Sequence, residues 1–263
     1  TGCNQQIPEQ VTPTNTTPEI VPTLTPTSEP DPELSAWWRD IVFYEIFVRS
    51  FKDSDGDGIG DFQGIIQQLD YLNDGNPITD DDLGIGGIWL MPINPAYSYH
   101  GYDVTDYYDV SPDFGTMEDF KDLLSEAEKR GIKIIIDLVI NHTSNHHPWF
   151  KASRDTESEY HTWYDWAEEN PQIPGPWFQN AWHRDATTGK YYYGIFWSGM
   201  PDLNFNNPDV SDEVMNISKF WLEEIGVDGF RVDAARYLFS EGSAQQDTKE
   251  TIQWFEDWRV FYT

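Results

Sequence analysis

The segment GFRVDAARY (residues 229–237) places an arginine and an aspartate, Arg231 and Asp233, two residues apart. The run before them is apolar and strand-like. Two residues make one side-chain period of a strand, so both groups are expected on one face. A guanidinium beside a carboxylate favours the ionised carboxylate. Such an aspartate can act as a nucleophile, a base or a metal ligand, and it can equally be half of a structural ion pair.

Polar and ionisable groups also follow two earlier strand-like runs. The stretch MPINPAYSYHGYD (91–103) follows one of them, and DLVINH (137–142) ends another. In barrels and in open sheets of parallel strands, functional groups gather where the strands end. No Gly-rich phosphate loop follows the first strand, which makes a nucleotide-binding sheet the less favoured of these two folds.

The hydrophobic patterning predicts strands alternating with helices. Strands are predicted over 41–48, 85–93, 132–140 and 227–233, and helices over 62–72, 116–131, 211–226 and 247–262. This alternation predicts an α/β fold with parallel strands and helical crossovers. Residues 141–210 are polar, aromatic and punctuated by Pro and Gly. They are too many for a simple connecting loop and predict a small inserted subdomain.

The N-terminus has a different composition from the rest of the chain. It begins Thr-Gly-Cys, and small residues before a cysteine resemble the end of a bacterial lipoprotein signal. Residues 4–36 are rich in Pro, Thr and Glu and predict an extended stalk. We therefore expect a lipid on Cys3 and an extracellular or cell-surface bacterial protein. The alternative for residues 1–36 is a plain disordered N-terminus or a linker.

Charge and aromatic content narrow the class of partner. The net charge of −30 argues against nucleic acid and against anionic membrane surfaces, so the membrane is expected only through the lipid on Cys3. The chain contains 12 Trp, 14 Tyr and 15 Phe, whose faces can fill a core or stack on the apolar faces of sugar rings. A neutral carbohydrate fits this balance, although a merely well-solvated acidic surface explains the charge equally well.

Several ordered motifs resemble the α-amylase family of glycoside hydrolases. They are YHGYDVTDYY (99–108), DLVINH (137–142), MPDLN (200–204) and GFRVDAARY (229–237), and the likeness extends from Trp37 to Thr263. The resemblance implies a (β/α)8 TIM barrel with strands 1–4 present and a domain B after strand 3. The implied domains are 37–140 for the first part of the barrel, 141–210 for domain B and 211–263 for the continuing barrel.

The resemblance also implies roles for individual residues. Asp233 matches the catalytic nucleophile and Arg231 the arginine that keeps it charged. His142 matches a histidine that binds the sugar at the cleavage subsite, Tyr102 the aromatic platform under that sugar, and His100 a neighbouring polar contact. Asp137 matches a structural carboxylate.

The general acid of the family is not found in this sequence. Retaining glycosidases use two carboxyl groups roughly 5–5.5 Å apart, one as nucleophile and one as acid/base. The family places that Glu after strand 5 and a further Asp after strand 7, whereas the sequence given stops at Thr263. Glu250 and Glu256 fall on a predicted helix and are poor candidates. We therefore expect negligible hydrolysis by this chain alone.

The stretch DSDGDGIGDFQG (53–64) has the ligand spacing of a calcium loop. Asp53, Asp55, Asp57 and Asp61 occupy positions 1, 3, 5 and 9, and the carbonyl of Ile59 occupies position 7. Position 12 is Gly64 instead of Glu, so the loop is not a full EF-hand. The resemblance implies Ca²⁺ here and a second calcium position at Asn141. Zinc at His142, His146 and His147 is the weaker alternative.

The expected reaction is hydrolysis of α-1,4-glucosidic bonds in starch, glycogen or maltooligosaccharides. In the family a small residue after the nucleophile, here Ala234, accompanies α-1,4 bonds, and Tyr99 stands where exo-acting members carry Asp. Arg236 and Tyr237 depart from the Lys-His of many α-amylases. A cyclomaltodextrinase or neopullulanase, a glucanotransferase, and a non-catalytic glucan-binding surface lipoprotein remain alternatives.

Overall fold

The computed structural model describes residues 37–240 and 245–261. The chain divides into two units, Thr1–Trp37 and Trp38–Thr263. Cys3 and the predicted stalk lie outside the described residues, so the lipid anchor stays a prediction. In the part of the chain that the structure describes, no helix is both long and apolar enough to span a bilayer.

The described residues form seven strands in two sheets. In chain order the strands are β1 (Phe43–Ile46), β2 (Gly87–Leu90), β3 (Lys133–Leu138), β4 (Trp166–Ala167), β5 (Trp182–Arg184), β6 (Tyr191–Tyr193) and β7 (Gly229–Val232). β1, β2, β3 and β7 form one parallel sheet in that order, and β4, β6 and β5 form an antiparallel sheet. Parallel strands whose spatial order follows the chain are the arrangement expected of a half barrel.

Helices connect the parallel strands. In chain order they are α1 (Val48–Phe51), α2 (Phe62–Ile66), α3 (Leu69–Leu72), α4 (Met117–Glu128), α5 (Pro148–Ser153), α6 (Pro208–Lys219) and α7 (Lys249–Phe261). Two 3-10 turns cover Trp37–Arg39 and Glu159–Trp163, and a π-helical segment covers Phe220–Ile225. Glu250 and Glu256 both lie on α7, so neither is at a strand end.

The sheet core is built from the apolar runs of β2 and β3. Ile88, Leu90, Ile134 and Ile136 are fully buried. Each such side chain contributes roughly 1.5–3 kcal/mol when removed from water. Against them α4 presents a buried stripe of Phe120, Leu123 and Ala127, at the i, i+3, i+7 spacing of one helix face. A reciprocal capping box between Thr116 and Asp119 fixes where α4 begins.

Two predicted helices have different boundaries in the structure. The helix expected over 62–72 is two short helices, because Gln68 leaves helical geometry between α2 and α3 (φ −112°, ψ 4°). The helix expected over 211–226 begins earlier, where Asn207 caps its first turn and Pro208 occupies N1. Beyond Lys219 it widens into the π-helical segment and ends at Gly226, whose φ of 93° suits glycine.

Aromatic rings fill much of the segment 141–210. Phe150 stacks on Trp166 with centroids 5.5 Å apart and meets Tyr192 edge-on at 4.8 Å. A second small cluster forms around Ala181, Tyr193 and Ile195. Part of the aromatic excess noted in the sequence therefore serves packing in this subdomain.

The buried side chain of His147 caps the first turn of α5 and makes the stability of the fold depend on pH. Its Nδ1 accepts the backbone N–H of Trp149 at 3.1 Å, and burial lowers its pKa to about 3. The unfolded chain binds a proton near pH 6.5 that the folded chain excludes, so stability falls as pH drops below about 6.5.

We therefore expect His147→Asn, which keeps a cap acceptor but cannot titrate, to flatten this acid-side decline. Its free energy of unfolding at neutral pH should fall by roughly 1–3 kcal/mol because ring packing is lost. Urea unfolding between about pH 7 and about pH 4 measures how the free energy of unfolding of parent and variant depends on pH. An unchanged slope in the variant would contradict the assignment.

Candidate active site

The pairing of β3 with β7 assembles a charged group at the carboxyl end of the sheet. Asp137 and Arg231 are direct register partners on these neighbouring strands. Arg231 and Asp233 lie one side-chain period apart, so all three side chains share one face. This is the arrangement that the spacing of Arg231 and Asp233 predicts, with Asp137 as an additional member.

One guanidinium nitrogen joins the two carboxylates. Arg231 Nη1 donates to Asp233 Oδ1 at 2.5 Å and to Asp137 Oδ1 at 3.0 Å. Asp137 is fully buried, whereas Asp233 is partly exposed. Among the described residues, Arg231 is the hydrogen-bond donor to the Asp233 side chain, and it contacts Oδ1. The bond from Arg231 does not involve Oδ2.

Two aromatic side chains hold this charged group in place. The guanidinium of Arg231 lies over the ring of Trp89, 5.1 Å from its centroid. The hydroxyl of Tyr102 donates to Asp137 Oδ2 at 3.1 Å. Burial raises the pKa of Asp137 to about 6 even though Arg231 lowers it. Burial, followed by the negative charge of Asp137, raises the pKa of Tyr102 above its usual range, so its hydroxyl remains a donor.

A pocket of about 260 Å³ opens beside Asp233. Its walls contain all of the predicted substrate-binding side chains together with two that the sequence did not single out. They are His100, Tyr102, His142, Phe196, Met200 and Asp233. Among the described residues that form these walls, Asp233 is the one with a carboxylate. The pocket therefore brings the predicted nucleophile next to the predicted sugar platform.

The two histidines of the pocket make hydrogen bonds within the chain. Nδ1 of His100 accepts the backbone N–H of Tyr102 at 3.1 Å, so its proton is on Nε2, which donates to Ser98 Oγ at 2.8 Å. Nε2 of His142 donates to the carbonyl of Tyr102 at 3.1 Å, and burial lowers the pKa of His142 to about 4.

The bonds of His100 describe its state without a ligand, and its predicted contact to sugar stays a prediction. Sequence resemblance predicts it as a polar contact to sugar, but both of its ring nitrogens already have partners within the chain. His100 therefore offers its ring to the pocket in this conformation. The close spacing of Ser98, His100 and Tyr102 along one loop explains why the nitrogens are satisfied locally.

The backbone turns sharply directly after Asp233. Ala234 has a φ of 50°, in the left-handed region that non-glycine residues seldom adopt. The N–H of Asp233 donates to the carbonyl of Leu138 at 3.0 Å, and the N–H of Tyr237 donates to that of Ala234 at 3.0 Å. Strained backbone of this kind is typical of functional sites, where surrounding contacts fix it. Here those contacts fix the position of Asp233.

The acidic loop after α1 brings three of its four aspartates together. One carboxylate oxygen from each of Asp53, Asp55 and Asp61 lies within 4.8 Å of the others. Backbone N–H groups of Gly56 and Gly58 bond to Asp53 and lower its pKa.

The remaining predicted ligands behave differently. The Asp57 carboxylate accepts the N–H of Ile59 at 2.7 Å and is not part of the trio. Asn141 is buried and donates to Asp202 Oδ2 at 3.1 Å. In the described ranges, the Asp53 loop is the one group of three acidic, His or Cys ligands, so the histidines 142, 146 and 147 do not form such a group. The calcium position at Asn141 stays a prediction.

Sequence reasoning missed three residues that shape the site. Trp89 lies under Arg231, and Phe196 and Met200 line the pocket. Met200 stood at the edge of the MPDLN motif, which was a usable signal. The sequence carries no signal for Trp89 and Phe196, because an aromatic residue within an apolar run is more often packed in a core.

Comparison with known proteins places the chain in a family. It matches the family described as "Alpha amylase, catalytic domain" over residues 45–259. It is 50% identical over 228 residues to Alpha-amylase 3 of Dictyoglomus thermophilum, covering 86% of this chain and 41% of that protein. It is 46% identical over 209 residues to an oligo-1,6-glucosidase of Parageobacillus thermoglucosidasius, covering 77% and 36% respectively.

Solved structures agree with this placement. The crystal structure of the alpha-amylase from H. orenii superposes with a TM-score of 0.74 at 55% identity, covering 84% of this chain and 44% of that one. The chain belongs to the α-amylase family of glycoside hydrolases. Its four-stranded parallel sheet is part of a TIM barrel, which confirms the predicted fold class. The chain spans less than half the length of each of these relatives.

Proposed function

We propose that the protein carrying this chain hydrolyses α-1,4-glucosidic bonds of starch-type glucans or maltooligosaccharides with retention of configuration. The observation that carries the proposal is Asp233, bonded to Arg231 through Oδ1 and open to the pocket walled by Tyr102. Asp233 Oδ2 attacks the anomeric carbon of the sugar in the pocket, and the glycosidic C–O bond breaks as a covalent ester forms. Water then releases the sugar.

The leaving oxygen must receive a proton from a second carboxyl group. Asp233 is the one carboxylate among the described residues that line the pocket, and Asp137 is already engaged with Arg231 and Tyr102. We therefore propose that the acid/base lies outside the described residues and that this chain alone has negligible activity. Turnover by the purified 263-residue chain, free of host amylase, would contradict this point.

The test of the activity is to follow the full-length gene product acting on maltoheptaose by proton NMR. We expect new reducing ends to appear first as the α-anomer. Isomaltooligosaccharides serve as the α-1,6 comparator and should react more slowly. A first product in the β-configuration would contradict the retaining mechanism. Glucan binding without cleavage would instead favour the non-catalytic surface-binding alternative.

The residues that follow the parallel strands support a proposal for the bond type and for endo or exo action. Ala234 and the YSYHGY loop support endo-acting α-1,4 hydrolysis, whereas Arg236 and Tyr237 support a branch near cyclomaltodextrinases and neopullulanases. The relatives named above include both an alpha-amylase and an oligo-1,6-glucosidase. The distribution of early products separates these activities. If maltooligosaccharides are converted into longer and shorter chains with no net increase in reducing ends, a glucanotransferase would be favoured.

We propose that the Asp53 loop binds Ca²⁺. Carboxylate and carbonyl oxygens are the ligands that Ca²⁺ prefers, and the trio of Asp53, Asp55 and Asp61 fits this chemistry. The carbonyl of Ile59 and a reoriented Asp57 would complete the set. The ion would offset the repulsion among the carboxylates and order the loop between α1 and α2.

Calcium should therefore raise the thermal midpoint of unfolding. At about 100-fold excess over the dissociation constant the stabilisation is about 2.7 kcal/mol. Asp55→Ala, which removes the ligand oxygen, should remove most of this increment, while Asp81→Ala, which deletes one exposed carboxylate elsewhere, should retain it. An equal calcium response in the parent and in Asp55→Ala, measured by calorimetry, would contradict the site.

We also propose that the mature protein is held at the bacterial cell surface by a lipid on Cys3. The small residues before Cys3 and the Pro/Thr-rich composition of 4–36 support this arrangement. Cys3→Ser should move the protein from the membrane fraction to the medium. If the unsubstituted protein is already in the medium, the anchor does not exist.

A further inference from the structure

A run of aromatic rings continues outward from the pocket. Phe196 lines the pocket and meets His142 at a centroid distance of 5.2 Å. On its other side Phe196 contacts Tyr237 at 5.6 Å and Trp177 at 5.9 Å, and Trp177 and Tyr237 contact each other at 5.7 Å. We call Phe196, Tyr237 and Trp177 the outer platform. It is continuous with the wall of the pocket that contains Asp233.

Trp177 is held in place although it is half exposed. The side-chain oxygen of Gln179 accepts a hydrogen bond from the backbone N–H of Trp177 at 2.9 Å. Its amide nitrogen donates to the backbone carbonyl of Ile195, next to Phe196, at 2.7 Å. Gly175 allows this side chain to lie close, since a Cβ there would come within 2.2 Å of Gln179 Nε2. One glutamine thus ties the loop of Trp177 to the segment that carries Phe196.

The exposure of Trp177 separates the platform from ordinary packing. Trp177 is 54% exposed and the next residue, Phe178, is 91% exposed. Bulky rings clustered at the surface beside a pocket mark a binding surface more often than a core. The rings of the platform carry no charge, and the chain has a net charge of −30, which disfavours an anionic ligand.

We propose that the outer platform binds a second glucose unit of the same α-glucan chain whose first unit occupies the pocket. This inference rests on the function proposed above. The C–H face of a glucose ring is apolar and stacks on aromatic faces, and a neutral sugar matches these uncharged rings. The guanidinium of Arg236 lies 5.9 Å from the centroid of the Tyr237 ring, and its charge is paired with Asp247. Because Phe196 belongs to both the pocket and the platform, a linked sugar can extend from the pocket towards Trp177. Trp177 is therefore a substrate-binding residue for chains longer than one glucose.

The test compares two substrates of the full-length gene product. α-Glucosyl fluoride fills only the pocket, because its leaving group is a single fluoride, whereas maltoheptaose also covers the platform. We expect Trp177→Ala to lower kcat/KM for maltoheptaose about tenfold and to leave α-glucosyl fluoride within about twofold of the parent. Trp177→Phe, which keeps a stacking ring, should recover most of the loss.

Trp38→Ala is the matched control. Trp38 is similarly exposed, at 53%, but precedes β1 at the amino end of the parallel sheet, away from the strand ends that carry the pocket. It should leave both substrates unaffected. Equal losses on both substrates in Trp177→Ala, or no loss on either, would overturn the platform while leaving the proposed function standing. A parent protein that cleaves neither substrate would overturn both.

Discussion

Asp233→Asn should lower kcat/KM of the full-length gene product on maltoheptaose by at least about 10⁴-fold. The substitution keeps the size of the side chain and a hydrogen-bond acceptor for Arg231 Nη1. It removes the charged oxygen that must form a bond to the anomeric carbon. Among the described residues, the pocket walls contain no other carboxylate that could take its place. Steady-state hydrolysis kinetics measure the change.

The matched control is Asp228→Asn. Asp228 lies just before the same strand, β7, but at the opposite end of the sheet, where it pairs with Lys133 at 2.7 Å. Its loss removes one surface ion pair, worth at most about 1 kcal/mol of stability, and should leave kcat/KM within about twofold. Retention of a tenth or more of the parent activity in Asp233→Asn would rule out the nucleophile assignment.

Arg231→Met should reduce both activity and stability strongly. Its guanidinium neutralises Asp137, which is fully buried, and contacts Asp233. Leaving a buried carboxylate without its partner costs about 3–5 kcal/mol of unfolding free energy. Losing the group that positions Asp233 should lower kcat about 10²- to 10³-fold. Urea unfolding and steady-state kinetics give the two numbers separately.

A double variant separates the two roles of Arg231. Asp137→Asn combined with Arg231→Met removes the orphaned buried charge, so most of the stability should return while kcat stays low. Recovery of activity along with stability would show that Arg231 acts only through folding. Arg130→Met, which breaks the ion pairs with Asp70 on α3 and with Glu126 on α4, controls for the loss of an arginine and should cost about 1 kcal/mol or less.

Sequence periodicity identified the elements that carry the site. The continuous apolar run predicted a strand over 132–140 and the structure has β3 at Lys133–Leu138. The amphipathic pattern predicted a helix over 116–131 and α4 covers Met117–Glu128. The two-residue spacing of Arg231 and Asp233 correctly predicted a shared face, because side-chain alternation is local to one strand.

Features that depend on contacts between distant segments were not readable in this way. Sequence alone does not fix the register between β3 and β7, so the ion pair of Asp137 with Arg231 became visible only in the structure. The same holds for Trp89 under Arg231 and for Phe196, whose neighbours come from other elements. The hydrogen bonds of His100 to Ser98 and Tyr102 were likewise visible only in the structure, and its role as a polar contact to the sugar stays a prediction.

The most direct test of the central claim is to trap the covalent intermediate on Asp233. A 5-fluoro-α-glucosyl fluoride forms the ester quickly and releases fluoride, while the ring fluorine slows its hydrolysis. Peptide mass spectrometry of the inactivated full-length gene product should find one 5-fluoroglucosyl group on the peptide that contains Asp233. Fluoride release with the label on another residue, or with no covalent adduct, would contradict Asp233 as the nucleophile.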